Sequence, residues 1–142
     1  MGYSSLSEII FTNRAKETAQ TIRTFAERAL AESKRQSEVA VLKLDQNNIQ
    51  YTIGTDTVSA ALSNGFTKKD DKPNCISGDI VSFNDGVQSK LAIGLSSLEP
   101  SEGYFAACDA KGYCGAAIKA AGKNSFVSCI KRGSKSNTWE VL

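Results

Sequence analysis

Histidine is absent from the 142 residues. That removes the commonest general base, the commonest metal ligand and the usual switch near neutral pH. No Ser-His-Asp or Cys-His catalytic centre can be assembled from this chain. Aromatic residues are scarce, at 8%, which argues against a stacking platform for single-stranded nucleic acid. Charge of neither sign dominates, and a net charge of +2 excludes a global polycation or polyanion role. Long hydrophobic runs are missing too, since the early apolar cluster Ile9-Ile10-Phe11 falls far short of a spanning helix. Met1-Gly2-Tyr3 has neither the basic nor the apolar region of a signal peptide. Leu6 stands where a myristoylation signal carries Ser or Thr. The glycines match neither a P-loop nor a dinucleotide fingerprint, and Asp79, Asp85 and Asp109 are dispersed among turns, not clustered as calcium requires. The expectation is a chain with no catalytic residue, metal, cofactor or small-molecule substrate.

What is present begins with four cysteines, Cys75, Cys108, Cys114 and Cys129. No two have the spacing of a zinc knuckle, and no histidine completes a ligand set. An even count reads as two disulfides, and hence as an oxidising compartment. Export without an export signal in the sequence leads us to expect further chain upstream.

Residues from about Leu6 to Arg35 read as one helix. Ile22, Phe25, Ala26, Ala29 and Leu30 repeat at spacings of three and four, and the segment holds no Gly or Pro. Ser5 or Ser7 is a candidate N-cap, and Lys34 and Arg35 suit the C-terminal end of the dipole. At about 1.5 Å per residue the helix is roughly 45 Å long, more than the diameter of so small a head. We therefore expect the stripe from Ile22 to Leu30 to dock and the earlier part to protrude. A plain surface helix lying across an α+β domain is the alternative.

After Ser37 the period changes to two. Val39 to Leu44 and Ile49 to Ile53 flank the polar turn Asp45-Gln46-Asn47-Asn48 as a hairpin, the first strand covered in part on both faces. Thr57 to Leu62 reads as a short strand or a turn of helix, and Lys68 to Pro73 as a charged loop. Ile80 to Phe83, Asn84-Asp85-Gly86 and Val87 to Ile93 read as a second hairpin. Ser96 to Gly103 is expected to be a loop. Tyr104 to Cys108, Tyr113 to Ala120, Ser125 to Arg132 and Trp139 to Leu142 are expected strands. The fold class is thus α+β, one domain over residues 1–142. A long N-terminal helix (about 6–35) packs on an antiparallel β-sheet head (about 38–142).

That order resembles type IV pilins and type II secretion pseudopilins. AKETAQTIRTFAERALAESKRQSEVAV (15–41) is similar to the helix-to-strand passage of the GspH/FimT family of minor pseudopilins. IVSFNDG (80–86), YFAACDAKG (104–112) and AIKAAGKNSFVSCIKRG (117–133) are similar to its later strands and hairpins. Lys123 stands where the family's final strand opens with Gly-Arg. The resemblance covers about residues 6–133. It implies a pilin-like fold and a structural role among other pilin or pseudopilin subunits. It also implies anchoring in the bacterial inner membrane by an upstream helix and assembly into a periplasmic or cell-surface filament.

Two questions stay open at this level. Cys108 with Cys114 and Cys75 with Cys129 is the preferred pairing, because a five-residue loop separates the first pair. A turn at Ala121-Gly122 would instead join Cys114 to Cys129 and leave Cys75 with Cys108. Lys119, Lys123, Lys131, Arg132 and Lys135 form a run with no acid between Lys119 and Thr138. It reads either as edge-strand protection or as a grip on the DNA backbone. A pilus-associated DNA-binding subunit, or an exported small protein unrelated to pili, are the competing functions.

Overall fold

A computed structural model describes residues 2–75, 80–83, 86–93, 95–123, 125–133 and 136–142. The first element, α1, spans Gly2–Gln36. It starts before Ser5 and Ser7, so neither serine is the N-cap expected of it. Its C-terminal end is a Schellman turn built on serine in place of glycine. Ser37 takes a φ of 53°, its N–H donates to Lys34 O at 3.3 Å, and Glu38 N–H donates to Ser33 O at 3.1 Å. The Ser33 hydroxyl, fully buried, donates to Glu38 O and meets Ser89 Oγ at 2.5 Å. Ser89 Oγ in turn accepts the Ala40 N–H at 2.7 Å. This chain of hydrogen bonds fixes the exit from the helix into the sheet, and a lost member would leave buried polar groups unpaired.

Among the described residues ten strands follow, arranged in two five-stranded sheets instead of the single sheet that was expected. The first sheet has the order β3-β2-β1-β5-β6, from β1 (Ala40–Asp45), β2 (Asn48–Ile53), β3 (Asp56–Ala61), β5 (Val87–Ala92) and β6 (Leu95–Glu99). The second has the order β10-β9-β8-β7-β4, from β4 (Thr67–Lys68), β7 (Gly103–Cys108), β8 (Cys114–Lys119), β9 (Val127–Lys131) and β10 (Trp139–Val141). All strand pairs are antiparallel. The coarse class is therefore α+β, one long helix packed on antiparallel sheets.

In β1 the alternation is strict. Ala40, Leu42 and Leu44 face the core, while Val41, Lys43 and Asp45 face out. The outer face is the more open one, with Val39 45% and Val41 41% exposed. Ile49, Tyr51 and Ile53 of β2 complete the inner face, and Gln46 makes the hairpin turn at a φ of 53°.

The second expected hairpin is corrected. Ile80 to Phe83 does not pair with Val87 to Ile93; Ser82 makes a single parallel bridge to Tyr104 instead. Beside β1, the hairpin partner of β5 is β6, Ala92 facing Leu95, and Ser96 to Glu99 of that strand fall in the stretch expected to be a loop. Asn84 and Asp85 of the expected turn lie outside the described residues, as does Asp79.

The helix lies across both sheets. Its buried face runs from Thr12 through Ala15, Thr18, Ala19, Ile22, Phe25, Ala26 and Ala29 to Ser33, with Leu30 half-buried. Docking therefore begins about three turns before Ile22, and the undocked apolar part is confined to the start of the helix. Gly115 of β8 makes this possible. A Cβ there would lie 2.5 Å from Ala15 O and 2.7 Å from Ala19 N. The second sheet is covered on both faces. Phe105 and Ala107 face the helix side. Tyr104, Ala106, Cys108, Cys114, Ala116, Ile118 and Cys129 pack on the other side with Trp139, Cys75 and Ile80.

Candidate functional site

Two disulfides are present, Cys75–Cys129 and Cys108–Cys114. Strand register decides the pairing. Cys108 stands directly opposite Cys114 in the β7–β8 ladder, with 4.1 Å between Cα atoms. The loop between them is held by Asp109, whose Oδ1 accepts the N–H groups of Lys111 and Tyr113, both at 2.9 Å. Cys75 then reaches Cys129 on β9, and the charged segment before it is tied down by more than sulfur. Asp71 pairs with Lys131 at 3.0 Å, Tyr104 donates to Asp70 at 2.6 Å, and Asn74 accepts the Trp139 N–H at 2.8 Å. Burial, reinforced by the Asp70 carboxylate, pushes the Tyr104 phenol well above its ordinary pKa. Asp71 also lies within 4.8 Å of the Cys108 and Cys114 sulfurs. Those sulfurs are bonded to each other and Asp71 holds Lys131, so the three do not make a metal cradle.

The cations read as one patch are distributed among different tasks. Lys119 is 4% exposed and donates to Ser101 O at 2.7 Å. Lys131 is occupied by Asp71, and Arg132 pairs with Glu140. Lys123 is exposed, and Lys135 lies outside the described residues. Three of the five are thus engaged inside the molecule or with acids that lie outside the run in sequence. That engagement was invisible in a window containing no acid.

The predicted packing stripe is found in the core. Ile22, Phe25, Ala26 and Ala29 are buried, Phe25 meeting Tyr51 with ring centroids 5.2 Å apart. At the start of the helix the apolar side chains remain outside: Leu6 is 61%, Ile9 55% and Ile10 46% exposed. Phe11, half-buried, meets Tyr113 in a tilted ring contact at 5.4 Å and sits under Lys111. No described helix is long and apolar enough to cross a membrane.

A groove of about 520 Å³ lies between the later helix and β6, lined by Leu30, Ala31, Lys34, Leu95, Ser96 and Lys119 among others. Burial pushes the Lys119 ammonium below its ordinary pKa. The sequence offered no sign of this groove, because it joins residues from three distant elements.

At the helix surface, hydrogen bonds from Arg35, first, and Gln36 hold the Glu32 carboxyl down to about 2. The folded pKa is depressed. The contribution of this group is therefore present above the ordinary carboxylate range and lost as pH falls toward 2. Carboxyl NMR titration of Arg35→Ala should show the Glu32 midpoint moving back up toward about 4.3. An unmoved midpoint would refute the assigned cause. Arg35 is exposed and Glu32 half-buried, so solvent screening keeps the effect of the pair on stability small.

No family model, curated protein or solved structure matches this chain.

Proposed function

We propose that the chain is a structural subunit, a minor pilin or pseudopilin, of a type IV pilus or type II secretion pseudopilus, and not an enzyme. The observation that carries this reading is the helix start. A 35-residue helix buries its later three quarters on two sheets and presents Leu6, Ile9 and Ile10 to the outside. Isolated apolar side chains on a surface need no explanation, but three within two turns at one end of a helix form a contact surface. A head-to-tail assembly needs such a surface to meet a different region of the next subunit, so that contacts propagate without closing. Two disulfides suit a head exported to an oxidising space. Its partners on this reading are other pilin or pseudopilin subunits. Its location is the inner membrane and periplasm, reached through an anchor upstream, and then the filament.

The test is made in the source cells. Antibody to the head should detect the chain in the sheared filament fraction, and deletion of the assembly ATPase should remove that signal. Leu6→Asp combined with Ile9→Asp should abolish incorporation while changing the stability of the chain by no more than about 0.5 kcal/mol. Recovery of the native chain only as free exported protein, or normal incorporation of the double variant, would overturn the proposal.

A further inference from the structure

Lysine is rarely so buried without a carboxylate, because removing its charge from water is costly unless the charge is matched. Lys119 lacks that match. Its ammonium carries three donors, and one hydrogen bond, to Ser101 O, is made at 2.7 Å. Among the described residues no acid lies within ion-pair distance of it, and Glu102 acts on it only at longer range. Glu27 lines the same groove, yet its carboxylate is committed elsewhere. One oxygen accepts the Phe126 N–H at 3.1 Å, and the other faces Arg23 at 3.6 Å. The groove wall also carries Ser96, whose hydroxyl is buried without a hydrogen-bond partner. Around these polar groups stand Leu30, Ala31 and the exposed Leu95, in a space of about 520 Å³. A pocket with apolar walls and a few unmet polar groups is the common form of a small-molecule site, and this volume lies in that range.

We propose that this groove binds a small amphipathic monocarboxylate. The carboxylate takes the spare donors of Lys119, and the apolar tail runs along Leu30, Ala31 and Leu95. Charge decides the class of head group. A single negative charge matches Lys119, with Lys34 at the same groove. The Glu27 carboxylate, which lines the same groove, repels a phosphate dianion more strongly than a monoanion. The site binds a ligand and performs no reaction, and it does not depend on the filament reading, which rests on the opposite end of the helix.

Octanoate is the probe, titrated into the intact, oxidised chain by calorimetry and by NMR. Saturable one-site binding is expected, with the largest shifts at the Leu30 and Leu95 methyls and at the Lys119 side chain. Octylamine, with the same tail and the opposite charge, should not compete. Lys119→Met keeps the apolar stem and removes an unmatched buried charge, so its fold should survive while octanoate affinity falls at least tenfold. Leu95→Glu alters only an exposed wall and should also cost at least tenfold, which keeps the test decisive if Lys119→Met misfolds. No saturable binding at millimolar octanoate, or unchanged affinity in either folded variant, overturns the site.

Discussion

Gly115→Ala is expected to lower the stability of the fold by about 3 kcal/mol, seen as a fall of roughly 10 °C in the thermal midpoint. The added methyl would lie 2.5 Å from Ala15 O and 2.7 Å from Ala19 N, and 3.2 Å from the Thr18 Cβ. Two of those three obstacles are backbone atoms in the middle of a helix, which cannot rotate away. Relief requires lifting α1 from β8, and that would open the contacts of Ala15, Thr18 and Ala19, all fully buried. Gly103→Ala supplies the contrast. Its methyl would lie 2.4 Å from the Phe83 ring, a side-chain obstacle. Phe83→Leu should therefore rescue Gly103→Ala in part, whereas Thr18→Ala should do little for Gly115→Ala. A Gly115→Ala protein melting with the native midpoint would mean that the helix is not seated on the second sheet.

This contact also shows where the sequence is silent. The helix itself could be read from Ile22, Phe25, Ala26 and Ala29, because large or methyl-bearing side chains mark a stripe at helical spacing. Its first docked turns could not, because Ala15, Thr18 and Ala19 pack by being small. Their counterpart is a glycine in an alanine-rich strand whose bulky Ile118 lies on the opposite face. Close approach of backbones leaves little hydrophobic signal.

The strands divide in the same way. β1 and β2 were legible from alternation around a polar turn. The β5–β6 hairpin was not, because Ile93, a β-branched residue, takes the left-handed φ of 52° between Ala92 and Leu95. Asp85-Gly86 supplied a stronger turn signal just before it and drew the hairpin to the wrong place. Separation into two sheets depends on which strands meet across long connections, and local pattern carries no such information.

For the candidate site, local charge counting misled where periodicity would have helped. Along β8, Gly115 and Ala117 face the helix. A period of two then places Lys119 on that same buried side, and not in a solvent-facing basic run. The buried hydrogen-bond chain through Ser33 and Ser89 had no sequence signal at all, since serine is equally at home on a surface. Pairing of the cysteines could be narrowed to two arrangements from loop lengths. Only the register that sets Cys108 opposite Cys114 chooses between them.

The two disulfides should contribute unequally, and the difference provides the second large test. Cys75–Cys129 closes a separation of 54 residues, and Cys108–Cys114 a separation of 6. On the loop-entropy account, removing the first costs about 4 kcal/mol and the second about 2. Structure widens the gap in the same direction. The Cys108–Cys114 turn keeps its Asp109 hydrogen bonds and its place in the β7–β8 ladder when the sulfurs are gone. The segment ending at Cys75 is an irregular strap over the outer face of the second sheet. Without sulfur it would be held by the contacts of Asp70, Asp71 and Asn74. Cys75→Ala with Cys129→Ala should therefore lower the denaturant midpoint about twice as far as Cys108→Ala with Cys114→Ala. It should also open Lys68 and Lys69 to trypsin, while the other pair leaves them protected. Equal losses, or a strap that stays protected without Cys75, would show that the polar contacts alone hold it and that the long-range bridge is dispensable to the head.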